Sequence, residues 1–257
     1  ILNYFAYHNK KFKGIHSQDR ITYGTIYFPI GYLIISIGFW QHTELVIISL
    51  SLLTISDPLA SYIGENTSKN NEFVIWKDKK TVKGTIAFFI SSTLIIFLIT
   101  KFLFNFSISY LLFFTLFTAI SATIAEITSS RGSDNLSIPI ITILFMLGFL
   151  EGIPSISLNI MDILLSEKLL LIYLITFLFF VAYRWRTLSL DGLFGAGIMG
   201  TLIILFGSKY HLFSIATFFI LSSLLSKILK NASFYRSKGS RRDIVQVYAN
   251  GGIALLI

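Results

Sequence analysis

Nine runs of apolar residues follow one another along this chain, each able to form, wholly or in part, a helix across a bilayer. They lie near Thr25–Trp40, Leu45–Ile63, Thr85–Phe104, Ser109–Ile127, Ile138–Leu150, Leu169–Tyr183, Gly192–Gly207 and Leu212–Leu229, with a truncated last run from Ile244. A membrane helix needs about 20 mainly apolar residues. The first, fifth, sixth and seventh runs are short for a simple span, which points to re-entrant or broken helices lining a protein cavity. Only 13% of residues are charged, against roughly a quarter in ordinary globular domains, so a soluble domain is excluded. The expected fold is an all-α, polytopic bundle of about nine transmembrane segments. Cys is absent, which removes disulfides, thiol nucleophiles and Cys-based metal sites. The chain starts at Ile1 without Met and ends inside an apolar run, as a piece of a longer protein would.

The charges supply the orientation. Assigning the connections alternately to two sides leaves Lys101, Lys168 and Lys209 on one side and the other 18 of the 21 basic residues opposite. Cytoplasmic loops carry the Lys/Arg excess, so the basic side is read as cytoplasmic. The net charge of +8 is then topology, and nucleic acid is not an expected partner.

Acidic residues at the ends of apolar runs are costly, and each is a functional hypothesis. Asp57, with Pro58 behind it, stands near the cytoplasmic end of the second run, and Glu126 closes the fourth in the same layer. Alone, either could be a solvated or snorkelling carboxylate. Both runs, however, lead into polar loops on the same side. The first holds Lys79-Lys80-Thr81-Val82-Lys83-Gly84, and the second holds Arg131, Asp134 and Asn135 ahead of Pro139. Asp134 and Asn135 suit an N-cap, which is compatible with binding an anion at a helix start. Three carboxylates (Asp57, Glu126, Asp134) beside Lys and Arg suit a Mg²⁺-polyphosphate, because hard oxygen ligands hold Mg²⁺ while cations neutralise the transferred group. Asp57 and Asp134 are the expected metal ligands and Glu126 the expected base. Lys80, Thr81, Lys83, Gly84, Arg131 and Asn135 are the expected nucleotide or phosphate contacts. The absence of GxxxxGK[ST] and GxGxxG leaves no P-loop or protein-kinase apparatus.

At these residues the chain resembles the membrane-embedded phytol and dolichol kinases, over about 17–150. The carriers are Ile21-Thr22-Tyr23-Gly24-Thr25-Ile26-Tyr27-Phe28-Pro29, Asp57-Pro58-Leu59-Ala60 with Gly64, Lys80-Thr81-Val82-Lys83-Gly84-Thr85, Glu126, and Asp134-Asn135-Leu136 with Pro139. The resemblance implies phosphorylation of a prenyl alcohol such as phytol, with CTP, or in some members UTP or another nucleoside triphosphate, as donor and Mg²⁺ or a similar cation. Pro58 stands where the family more often has Ala, and Glu65-Asn66-Thr67 replaces its small basic run.

A second unit follows. Gly192, Ala196 and Gly200 lie four apart and predict a small-residue packing seam. Gln246 and Asn250 share a face of an apolar helix, and buried amides need partners. The stretch from about 188 to 257 resembles a second membrane family, whose plant member is linked to phytyl-phosphate kinase activity. Leu188-Ser189-Leu190-Asp191-Gly192, Ser222-Ser223 with Lys227, and Arg241 through Gln246-Val247-Tyr248-Ala249-Asn250-Gly251 carry it. Lys227, Arg241, Gln246 and Asn250 are the candidate residues it implies. The division expected from sequence is 1–155 for the kinase-like unit, 156–187 for a connector and helix, and 188–257 for the start of the second unit.

The four His residues, His8, His16, His42 and His211, are scattered without ligand spacing, so neither zinc nor a Ser/His/Asp triad is expected. The function read from the sequence is CTP-dependent phosphorylation of a prenyl alcohol at the cytoplasmic interface. The stretch resembling the second family covers only that family's first half, and its pairing with the first unit suggests a fusion to the next phosphorylation, to the diphosphate. The alternatives are a secondary transporter and a CTP-dependent lipid cytidylyltransferase. Transporter sites lie near the midplane, whereas here the acids sit at the cytoplasmic ends.

Overall fold

The computed structural model describes residues 23–66, 72–75, 78–153, 163–164, 166–228 and 241–251. In chain order its elements are α1 (Gly24–Gly38), α2 (Thr43–Glu65), β1 (Glu72–Ile75), β2 (Asp78–Thr81), α3 (Val82–Leu103), α4 (Ile108–Ile127), α5 (Asp134–Gly152), α6 (Glu167–Arg184), α7 (Leu190–Phe206), α8 (Lys209–Ile228) and α9 (Ile244–Gly251). Each apolar run of the sequence is a helix. Helices α2, α3, α4 and α5 are long and apolar enough to cross a membrane, while α1 and α7 are apolar but shorter.

Packing divides the chain into two compact units, Ile1–Met146 and Leu147–Ile257. The boundary therefore falls inside α5, and the helix of the expected connector, α6, lies in the second unit. There Gly200 of α7 is so close to α6 that a Cβ would stand 2.9 Å from Ile175 Cδ1.

The first unit has the inverted dress of a membrane bundle. Ile86, Ile90, Leu94 and Leu98 of α3 and Ile108, Leu112, Leu116 and Ile120 of α4 recur every fourth residue and are all exposed. Ser91, Ser92 and Thr100 of α3, with Thr115, Thr118 and Ser121 of α4, are buried instead. Lipid is as apolar as Leu, so helices associate through small and hydroxyl-bearing faces that let backbones approach. Ser121 Oγ and Thr123 Oγ1 donate back to Phe117 O and Ala119 O, each at 2.7 Å, which satisfies these two hydroxyls without water.

Three prolines shape the elements around the polar layer. Pro58 lacks an N–H, and its ring crowds the carbonyl four residues back. Immediately before it α2 widens into a π-turn, Leu52–Ser56, with the Asp57 N–H donating to Leu52 O. Such turns are frequent at functional sites. Pro139 was expected near the start of its helix, but α5 begins earlier, at Asp134. Pro139 has no N–H for Asn135 O, and that carbonyl faces Gly31 of α1, where a Cβ would lie 2.7 Å from it. Pro29 sits inside the short α1.

A two-stranded antiparallel hairpin is the departure from an all-helical expectation. It pairs Glu72 with Thr81, Phe73 with Lys80, Val74 with Lys79, and Ile75 with Asp78. Alternation places Phe73, Ile75, Asp78 and Lys80 on one face, where Ile75 is buried, and Glu72, Val74 and Lys79 on the exposed other. Read only as a basic loop, this stretch hid its period-two pattern behind three lysines.

Candidate functional site

The first site is built on the inner face of β2. Lys80 Nζ reaches Glu126 Oε1 at 2.5 Å and Ser129 Oγ at 3.4 Å. The side chains are 17% and 8% exposed respectively, so this is a buried ion pair. Glu126 sits in the last turn of α4, and Ser129, just beyond, donates its hydroxyl to Glu126 O at 2.6 Å. The second carboxylate oxygen of Glu126, Oε2, is buried and accepts no hydrogen bond among the described residues. An unused buried acceptor costs about 1–3 kcal/mol, so this oxygen is a marked feature of the site.

Asp57, at the exit of the π-turn, and Asp134, at the start of α5, complete the cluster. Both act electrostatically on Lys80, as does Glu126. Burial alone would push the ammonium of Lys80 down. The three carboxylates, Glu126 foremost, outweigh it and hold Lys80 above the ordinary lysine value. Asp57 in turn feels Asp134, Lys80 and Glu126. The four residues singled out from separate stretches of sequence therefore share one electrostatic environment, beside the π-turn of α2, the last turn of α4 and the first turn of α5.

The expected phosphate contacts divide. Thr81 caps α3, its Oγ1 accepting the Gly84 N–H at 3.2 Å. Gly84 is a packing residue: a Cβ there would stand 2.9 Å from Ala60 O and 3.3 Å from Gly64 Cα. The two glycines thus let α2 and α3 meet backbone to backbone. Lys83 is exposed in the first turn of α3. Arg131 is exposed and adopts φ 53°, followed by Gly132 at φ 86°. Its backbone is engaged at both ends, the N–H donating to Asp78 Oδ2 at 2.8 Å and the carbonyl accepting from the Tyr23 N–H at 2.8 Å. Asn135 donates its amide to Gly132 O and Asp134 Oδ1, both at 3.3 Å, and its backbone N–H to Asp134 Oδ1 at 2.9 Å. Asp78 and Ser129 were not singled out from sequence, since a strand-end acid in a basic loop and a serine in a serine-rich one carry no distinguishing signal.

Among the described residues no group of three or more His, Asp or Glu side chains comes together as a metal cage. Asp57 and Asp134 remain as two carboxylates in one field. That donor set fits Mg²⁺, which is held by one or two carboxylates with waters and substrate phosphates rather than by an all-protein cage.

The second unit carries a different site, a cavity of about 400 Å³ with an almost wholly apolar lining that includes Phe179, Ala196, Ile203 and Phe219. Its polar members include Arg242, Gln246 and Asn250. The residue at the cavity is thus Arg242 and not the expected Arg241, which is exposed. The reason is the β-bridge that pairs Leu188 with Arg242. Ser189 N–H and Oγ both donate to Arg242 O at 3.0 Å, and Arg242 N–H donates to Thr187 O at 3.0 Å. The guanidinium stands over the Phe219 ring, 5.3 Å from its centroid, and burial pushes its pKa down. Among the described residues it pairs with no carboxylate. Asp191 and Asp243 accept backbone N–H groups instead, from Ile244 at 3.1 Å and Gln246 at 2.9 Å. Asn250 is exposed rather than buried. The side chain of Lys227, in α8, lies outside the described residues.

The glycine seam also divides. A Cβ at Gly192 would strike Arg242 O, and one at Gly195 would lie 2.8 Å from Ile244 Cγ1, whereas Gly200 faces α6. The seam serves two neighbours because Gly192 and Gly200, eight residues apart, are separated along the axis by more than two turns.

No curated protein and no solved structure matches this chain. Residues 173–257, about a third of the chain, match the family described as Integral membrane protein DUF92. With its helices long and apolar enough to span a bilayer, the chain is an α-helical, multi-pass integral membrane protein.

Proposed function

We propose that the first unit transfers a phosphoryl group from CTP to a prenyl alcohol such as phytol, with its site facing the cytoplasm. The observation that carries this reading is Lys80, a buried cation held on Glu126 within the field of Asp57 and Asp134. Asp57 and Asp134 would hold Mg²⁺, which when bound supplies charge neutralisation at the phosphates. Lys80 is protonated and placed to stabilise charge on the transferred group. Glu126 offers Oε2, the acceptor its ion pair leaves open, to the alcohol proton. The alcohol oxygen bonds to the γ-phosphorus as the bond to the β-phosphate oxygen breaks, leaving lipid phosphate and CDP. The 18-to-3 division of basic residues supports the cytoplasmic orientation.

The test uses the full-length protein in membranes with labelled CTP and phytol. Lipid phosphate is the expected product, and Asp57→Asn and Asp134→Asn should abolish it, because amides bind Mg²⁺ poorly. A CDP-linked lipid would establish the cytidylyltransferase alternative. Wild-type rates in both variants would remove the site and bring a transporter forward. For orientation, Asn66→Cys should resist an impermeant thiol reagent in intact cells while Asn105→Cys reacts. Both positions are exposed, and labelling of both would overturn the topology.

For the second unit, the cavity beside Arg242 favours a second reading, phosphorylation of the lipid phosphate to its diphosphate. An apolar chamber fits the prenyl chain, and a guanidinium with no carboxylate partner among the described residues suits a phosphate.

A further inference from the structure

The inner face of β2 presents two ionisable groups two residues apart, and they grip opposite ends of one short segment. Lys80 holds Glu126 and Ser129, while Asp78 Oδ2 accepts the Arg131 N–H at 2.8 Å. That segment leads directly into Asp134. Arg131 is strained, since a side-chain-bearing residue at φ 53° costs roughly 1–2 kcal/mol and persists only where its surroundings over-determine it. Here they do: the N–H is fixed by Asp78 and the carbonyl by the Tyr23 N–H at 2.8 Å. From this turn the chain is relayed onward without slack. Ser133 Oγ accepts the Ser130 N–H at 2.9 Å, Ser133 N–H donates to Ser130 O at 3.0 Å, and Asn135 reaches back to Gly132 O at 3.3 Å.

Glu126, Asp134 and Asp57 bear electrostatically on Lys80. Asp78, on the same strand face, spends its oxygen on a backbone N–H instead. We infer that Asp78 is a positioning residue, which by holding the left-handed turn at Arg131 fixes Asp134 relative to Lys80. This rests on the phosphotransfer reading of the first unit. A carboxylate ligand and a cation that must meet the same polyphosphate have to keep their spacing, and a misplacement of about 1 Å can cost about 10²-fold in rate.

The experiment compares Asp78→Ala, Asp78→Asn and, as a control on the outer face, Glu72→Gln. The control removes the exposed Lys79–Glu72 pair, 3.3 Å long, and leaves the inner face intact. Initial rates against CTP concentration, normalised to folded protein, are measured with the full chain in membranes. Hydrogen exchange is followed over the peptide covering residues 128–135. Asp78→Ala should lower kcat/KM by about tenfold or more and speed exchange at that peptide. Asp78→Asn keeps a carbonyl oxygen for the Arg131 N–H and should restore both readouts most of the way, and Glu72→Gln should change neither. If Asp78→Ala reduces only the amount of folded protein, with kcat/KM per folded molecule unchanged, the role is merely structural and the inference fails. Equal damage from Ala and Asn would overturn it too, by showing that charge rather than the acceptor matters. Should the wild type form no lipid phosphate, the kinase reading falls on its own. Unaltered exchange at 128–135 in Asp78→Ala would then separately refute the tie.

Discussion

The two units handle buried charge in opposite ways. In the first, an ammonium is enclosed by carboxylates and the pair Lys80–Glu126 is nearly dry. In the second, a guanidinium leans over an aromatic ring beside an apolar cavity while nearby acids cap backbone N–H groups. A compact, strongly hydrated ammonium is expensive to bury without opposite charge, whereas a planar, weakly hydrated guanidinium can lie on an aromatic face. The first arrangement suits a site where charge must be neutralised during a reaction. The second suits one where a single anionic group meets an apolar chain.

The contrast is broken most severely by removing the open oxygen of Glu126. Glu126→Gln should slow lipid phosphate formation by about 10²–10⁴-fold if that carboxylate takes the alcohol proton, with CTP binding retained in a filter or fluorescence assay. Unchanged turnover would reassign Glu126 to holding Lys80 alone.

Stability sharpens the same comparison. Lys80→Ala strands a buried carboxylate and should destabilise the first unit by about 3–5 kcal/mol, whereas the paired change Lys80→Met with Glu126→Leu should recover most of that loss without recovering transfer. Denaturant unfolding in detergent measures both. A double variant no more stable than Lys80→Ala would mean that packing, not charge, dominates there.

The smallest effect is expected in the second unit. Arg242→Gln removes one charge-assisted contact, worth about 1.5–3 kcal/mol, and should weaken binding of a prenyl phosphate by about 10–100-fold. Transfer to the free alcohol should be untouched. Equal loss of both activities would dissolve the distinction between the two sites.

Hydropathy, a property of each short window, was enough to place the helices α1 to α9, because the cost of leaving a polar backbone or side chain in lipid is local. It likewise put Asp57, Glu126 and Asp134 in one layer, since each stands at or near the end of a run that leads to a basic loop. The hairpin was not legible. Its strands are four residues each, and the second, Asp78-Lys79-Lys80-Thr81, is a sequence that a loop would also tolerate.

What only the tertiary structure decided were the pairings. Lys80 meets Glu126 across 46 residues and Asp78 meets Arg131 across 53, and no local free energy selects one lysine or acid over its neighbours at such separations. Arg242 rather than Arg241 faces the cavity because Leu188 pairs with it across the chain, and one residue of register reverses the side that a strand-like segment presents. Gly84 and Gly64 read as motif glycines in the sequence. In the fold they are the close approach of α2 and α3, since a missing Cβ becomes meaningful only once another backbone stands where it would have been.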